Sequence, residues 1–192
     1  MSKIVSLSTA VPLFRHKQND ILDFMQKVYA MDEAGIRKLK FLYRQSAIET
    51  RYSVLSCYSL CANEWQFYPA TEDMEPFPNL EIRMKWYYKN ASLLSVNAIE
   101  KCIHKKINKS EISHLITVSC TGMSAPGLDL QIMEMMNLPG NIFRTSVNFM
   151  GCYAAIHAMK IADAFCKNDK RAKVLVICTE LCTLHFQKDA TA

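Results

Sequence analysis

The sequence predicts an α/β protein: a mostly parallel, buried sheet with helices on both faces. Two observations carry this. Strand-like and helix-like runs alternate between His114 and Thr179, and the run Val174–Cys178 is continuously apolar, as a central strand should be. Ile4–Thr9 alternates apolar and small polar residues and predicts a buried first strand closed by Val11-Pro12. Asn19-Asp20 can cap a helix running to about Ala30, and a second helix is expected over Asp32–Tyr43. Ser46–Val54 reads as extended. Cys57–Asn79, with Pro69, Pro76 and Pro78, reads as loop. A long helix follows over Leu80–Lys105, with Met84, Tyr87, Ala91, Leu94, Ala98 and Cys102 on one face. His114–Ser119 is a strand, and a turn at Pro126-Gly127 leads to a helix over Leu128–Met136. Asn141–Val147 is a strand, Cys152–Cys166 a helix and Lys173–Thr179 a strand, while Gln187–Ala192 ends without a closing element.

Composition narrows the classes. The chain has 192 residues, half of them hydrophobic and 21% charged, which suits one core and one domain over 1–192 and excludes a disordered chain. Its net charge of +5 is spread over short clusters at Arg37–Lys40, Lys101–Lys106 and Lys167–Lys173. That falls short of the dense basic stripe of a nucleic-acid binder. A solvated surface, or a phosphate-bearing small molecule, accounts for it equally well. No apolar run approaches the roughly 18 residues of a membrane span. The eight Cys lie largely in apolar runs, so buried free thiols in a reducing cytoplasm are expected rather than disulfides. The C-x3-C pairs Cys57/Cys61 and Cys178/Cys182 lack the second pair a zinc site needs, so no metal is expected.

The sharpest chemical feature is the junction Asn148-Phe149-Met150-Gly151-Cys152. Gly151 permits a tight turn, and Cys152 then opens a helix. A thiol at a helix N-terminus faces unsatisfied N–H groups and the positive end of the dipole, which favour the reactive thiolate. The same N–H groups can help hold an oxyanion during acyl transfer. Spacing alone leaves a second reading open, since small buried Cys residues are common at crowded strand–helix junctions.

Four stretches together resemble type III polyketide synthases, the chalcone and stilbene synthase family. They are Cys120-Thr121-Gly122-Met123-Ser124-Ala125-Pro126-Gly127-Leu128-Asp129, Gly151-Cys152-Tyr153-Ala154, Val174–Phe186, and Glu81-Ile82-Arg83-Met84 with Tyr87. The likeness extends upstream through Ile48-Glu49-Thr50-Arg51-Tyr52. The resemblance, more than cap physics, selects Cys152 as the catalytic nucleophile. It implies the N-terminal half of a thiolase-like layered α-β-α fold. It also implies an acyltransferase that loads an acyl group from a CoA thioester and condenses it with malonyl-CoA by decarboxylation, with no other cofactor. The family's catalytic His and Asn come from its C-terminal half. His16, His104, His114, His157 and His185 are therefore expected in structural or surface roles, and residues 1–192 alone are not expected to complete the reaction.

The resemblance also assigns a substrate pocket to Cys120, Thr121, Ala125, Tyr153, Glu180, Cys182 and His185, and CoA-phosphate contacts to Lys38, Lys40 and Arg44. This sequence departs from the plant pattern with Ala125 before Pro-Gly, with Cys182 and His185 for two Thr, and with Phe41 and Gln45 at expected basic positions. The starter is therefore expected to differ from that of chalcone formation. A homodimer through Met123–Gly127, or self-association through an orphaned apolar face, is expected. The alternatives are a ketoacyl-carrier-protein synthase III-type enzyme and a non-catalytic assembly module.

Overall fold

The computed structural model describes residues 2–29, 31–104 and 107–188. The helix ends expected at Ala30 and Lys105, and the last of the residues Gln187–Ala192, fall outside them. The chain divides into two compact units, one formed by Met1–Ala10 and Met84–Leu184, the other by Val11–Arg83 and His185–Ala192.

In the second unit, strand β1 (Phe14–Lys17) pairs antiparallel with β2 (Thr50–Ser53), Phe14 opposite Ser53. Helices α1 (Gln18–Tyr29) and α2 (Glu33–Gln45) lie between them in sequence. The Asp32 side chain caps α2 by accepting from the Gly35 N–H at 2.8 Å. The proline-rich loop encloses an aromatic core. Phe24 on α1 meets Tyr58, Trp65, Tyr68 and Phe186 with ring centroids 4.9 to 6.5 Å apart. His16 is fully enclosed. One ring nitrogen lies 2.9 Å from the Leu55 carbonyl and the other 2.8 Å from the Ser59 hydroxyl.

The first unit holds the sheet. Strands β3 (His114–Ser119), β4 (Phe143–Asn148) and β5 (Val174–Cys178) are all parallel, in the order β4-β3-β5. The strand at the centre is β3, with Leu115 and Ile116 fully buried. This corrects the expectation that the apolar run Val174–Cys178 is central: among the described residues β5 pairs only with β3, and Cys178 is exposed. Helix α5 (Ala154–Asn168) covers one face. Its small Ala154 and Ala158 let it approach Ile116, Val118 and Val147 closely. Helices α3 (Leu80–Ile103) and α4 (Leu128–Met136) serve the other face. There the Tyr87 hydroxyl donates to Ser119 at 2.7 Å, the Ser95 and Thr179 hydroxyls are 2.6 Å apart, and Thr117 faces Ser146 across the strands at 3.1 Å. Arg144 donates to the buried Asp129 at 2.5 Å, tying β4 to the first turn of α4.

Three further expectations are corrected. Ile4–Thr9 is not a strand, and its apolar side chains are open, Leu7 being 86% exposed. The segment has no ladder partner among the described residues. It is held instead by single bonds from Ser2 to Asp163 and from Ser6 to the Cys102 carbonyl. The helix expected to open at Cys152 begins at Ala154, because Gly151–Tyr153 forms a tighter 3-10 turn first. Of the eight cysteines only Cys57 is buried, since the others occur mainly at element ends rather than within them.

Candidate active site

Parallel strands deliver their following loops to one edge of a sheet, where ligand sites of open α/β sheets form. Here the loops after β3, β4 and β5 bring Cys120, the turn at Gly151-Cys152 and the segment Thr179–Cys182 to that edge. Cys152 is exposed. Its turn is built from two left-handed residues, Phe149 at φ 57° and Gly151 at φ 64°. A side chain at Gly151 would meet open space, so its glycine is required by backbone conformation alone. A non-glycine residue in that region, as at Phe149, is strain of the kind that gathers at functional turns.

Glu180 acts as a clamp between two of these loops. Both its oxygens accept from the Cys120 N–H, at 2.9 and 3.1 Å, and one also accepts from the Thr121 hydroxyl at 2.6 Å. Thr121 Oγ1 in turn accepts from the Leu181 N–H at 2.8 Å. The carboxylate is thus committed to the loop after β3, through one backbone N–H and one hydroxyl. The Cys120 thiol donates to the Gly151 carbonyl at 3.8 Å, beside Cys152. Partial loss of water around the sulfur, and secondarily the Glu180 charge, push the Cys178 and Cys182 thiols above their usual range; the neighbouring Cys152 adds to the effect on Cys182.

Thus Cys120, Thr121, Cys152, Glu180 and Cys182 are neighbours at one sheet edge. Ala125 is exposed in the loop before α4. Tyr153 is half open and turned toward its own helix, accepting from Lys160 Nζ at 2.5 Å with His157 beside its ring. His185 ends the 3-10 turn Cys182–His185 and is exposed, within the other unit. Lys38, Lys40 and Arg44 are exposed on α2, also in that unit, with Lys40 and Arg44 one turn apart. Among the described residues no three His, Cys, Asp or Glu side chains gather in a metal-holding group, and no helix is long and apolar enough to cross a membrane.

Sequence reasoning missed the packing beneath the thiols. Gly122 lies against the Tyr87 ring. A glycine three residues beyond a buried strand end was the available signal. A small, partly open pocket lies between Tyr87, Thr117, Ser119, Ser124 and Ser146, whose hydroxyls share its lining with Leu128 and Asn148.

Comparison with known proteins gives a consistent picture. The model of chalcone and stilbene synthases, N-terminal domain, matches residues 1–192. The chain is 28% identical over 183 residues to an alpha-pyrone synthesis polyketide synthase-like protein, Pks18, of Mycobacterium tuberculosis, covering 95% of this chain and 44% of that protein. It is 25% identical over 189 residues to a probable polyketide synthase 1 of Dictyostelium discoideum, covering 96% of this chain and 6% of the relative. The chain therefore spans less than half the length of these curated relatives. Its fold superposes on PKS-I from the brown alga Ectocarpus siliculosus with TM-score 0.85 and 26% identity, covering 98% of this chain and 52% of that one. It also matches the C-terminal type III polyketide synthase domain of Steely1 from Dictyostelium, with TM-score 0.86 at 23% identity, covering 98% and 50%. With a thiolase-like α/β architecture shared with these structures and a family match over its whole length, the chain belongs to the chalcone and stilbene synthase family as its N-terminal domain.

Proposed function

We propose that this chain is the acyl-accepting part of a type III polyketide synthase, with Cys152 as the nucleophile that takes an acyl group from a CoA thioester. One observation carries the reading: the Cys152 side chain is open on a left-handed turn at the carboxyl ends of three parallel strands, within a chain matched end to end by this family. Covalent catalysis of this kind needs an accessible sulfur held by a fixed backbone, and the turn supports both. In the proposed cycle malonyl-CoA loses carbon dioxide and its carbanion attacks the Cys152 thioester. Groups that stabilise the enolate come from outside residues 1–192. CoA thioesters are the substrates, and no further cofactor takes part.

Cys120, Thr121, Cys182, Ala125, Tyr153 and His185 are proposed to shape the acyl pocket, with Glu180 holding its loops. Lys38, Lys40 and Arg44 on α2 are proposed to meet CoA phosphates, for which exposed cations suffice. A homodimer is supported by exposed apolar side chains, among them Met123, Phe149, Ile156 and Met159, each at least 43% exposed. A cytoplasmic setting follows from the supply of CoA thioesters. The test is mass spectrometry of the protein after incubation with a panel of acyl-CoAs. An acyl adduct on the Cys152 peptide, absent in Cys152→Ala, is expected; an unmodified Cys152 with every acyl-CoA overturns the reading.

A further inference from the structure

We propose that Cys120 is the resolving thiol for an oxidised Cys152, so that a peroxide closes a reversible Cys120–Cys152 disulfide across this site. The inference rests on Cys152 being the reactive thiol.

The geometry comes from two contacts. The Cys120 sulfur is 3.8 Å from the Gly151 carbonyl oxygen. Peptide geometry puts the next Cα about 2.8 Å from that oxygen, so the Cys120 sulfur lies within about 7 Å of the Cys152 Cα. The Phe149 N–H also donates to the Ser119 carbonyl at 3.3 Å, which fastens the residue before Cys120 to the turn that carries Cys152. A disulfide needs the two Cα atoms roughly 4.4–6.8 Å apart. The bound here is on the Cys120 sulfur and the Cys152 Cα, which places the two side chains close enough for rotation and small loop adjustment to bring the sulfurs together. Cys152 is exposed, so peroxide can reach it, and Cys120 is half-buried behind it. Cys178 and Cys182 are the competing thiols nearby. Both are held protonated to higher pH by partial loss of water around the sulfur and by Glu180, which lowers the thiolate fraction of each.

The chemistry balances. The Cys152 thiolate attacks the peroxide O–O bond, forming a sulfenic acid and releasing hydroxide. The Cys120 sulfur then attacks the sulfenic sulfur. An S–S bond forms, the S–O bond breaks, and the oxygen leaves as water with the Cys120 proton. Two thiols are oxidised by two electrons and one peroxide is reduced. The product masks the nucleophile and shields it from irreversible sulfinic oxidation.

The test treats the full protein with hydrogen peroxide, blocks free thiols, digests without reductant and maps peptides by mass spectrometry. A Cys120–Cys152 linked peptide is expected, removed by dithiothreitol with recovery of acyl loading. Cys120→Ser should lose the link and raise the sulfinic fraction at Cys152 at least threefold at equal peroxide, whereas Cys182→Ser should keep the link. A Cys152–Cys182 link in the wild type, or sulfinic Cys152 with no linked peptide, overturns the proposal, and neither readout needs a variant to fold. A Cys152 that loads acyl groups but never links sinks this inference alone. One that neither loads nor oxidises sinks the functional reading as well.

Discussion

Gly122 sits where the loop after β3 passes the ring of Tyr87. A Cβ there would lie 2.1 Å from Tyr87 Cγ and 2.3 Å from each Cδ, well inside contact distance. The ring has little freedom to yield: Tyr87 is 2% exposed, and its hydroxyl is bonded to Ser119 at 2.7 Å. Gly122→Ala therefore incurs two costs. Overpacking costs about 1–3 kcal/mol. Displacing the ring breaks a buried hydrogen bond at about 1–3 kcal/mol more. A restricted unfolded chain returns about 0.4–1 kcal/mol. The net expected loss is about 1–5 kcal/mol, read as a lowered urea midpoint at unchanged slope. Tyr87→Ala removes the obstacle and costs about 3–5 kcal/mol by itself. Adding Gly122→Ala to it should then cost nothing further, giving a coupling of at least about 1 kcal/mol in a double-mutant cycle. A single-variant loss under about 0.5 kcal/mol, or a coupling near zero, would refute the account of this contact.

Further perturbations probe the site and the second unit. Gly151→Ala should cost about 1–2 kcal/mol through its φ of 64° and slow iodoacetamide labelling of Cys152, while Gly140→Ala, with open space and no such φ, should change neither. Glu180→Gln should move alkylation of Cys178 and Cys182 to lower pH. The midpoints should stay above those of an ordinary thiol, because partial loss of water around each sulfur rather than the carboxylate is the larger cause of the upward shift. Burial lowers the His16 pKa below its usual 6.5, outweighing the Leu55 hydrogen bond, so the unfolded chain binds the proton first. Stability should thus be level above pH 6.5 and fall as pH drops below it. In a denaturation series, replacing His16 with a non-titrating residue should flatten that fall, and an unchanged slope would count against the assignment.

The strand–helix alternation from His114 onward was legible because each βα unit carries its own period and punctuation. His114–Ser119 and Leu128–Met136 came out with their observed bounds. The helix after Cys152 was legible too, apart from the 3-10 turn, whose tighter winding leaves no mark on residue spacing. What failed was information held by partners rather than by the segment. Ile4–Thr9 has strand-like alternation, but no described strand offers it a ladder, so it stays extended and open. Val174–Cys178 is apolar throughout yet lies at an edge, since apolarity reports which faces are covered and not which edges are paired. At the site, Cys152 was singled out through motif likeness, and Glu180 was named without its task. Its grip on the Cys120 N–H links residues 60 apart in the chain, and nothing local announces that.

The two hydroxyl bonds beneath the sheet edge have a mechanical consequence. Tyr87 and Ser95 stand two turns apart on α3, and each engages the end of a different strand, at Ser119 and Thr179. A purely greasy contact would let the helix slide along its axis at little cost; two polar pins do not. Slippage by one residue would strand both pairs in a dry interior, at roughly 1–3 kcal/mol for each hydroxyl left bare. The helix is keyed like a shaft in its bearing, and the two strand tips it pins are those that lead into Cys120 and Glu180.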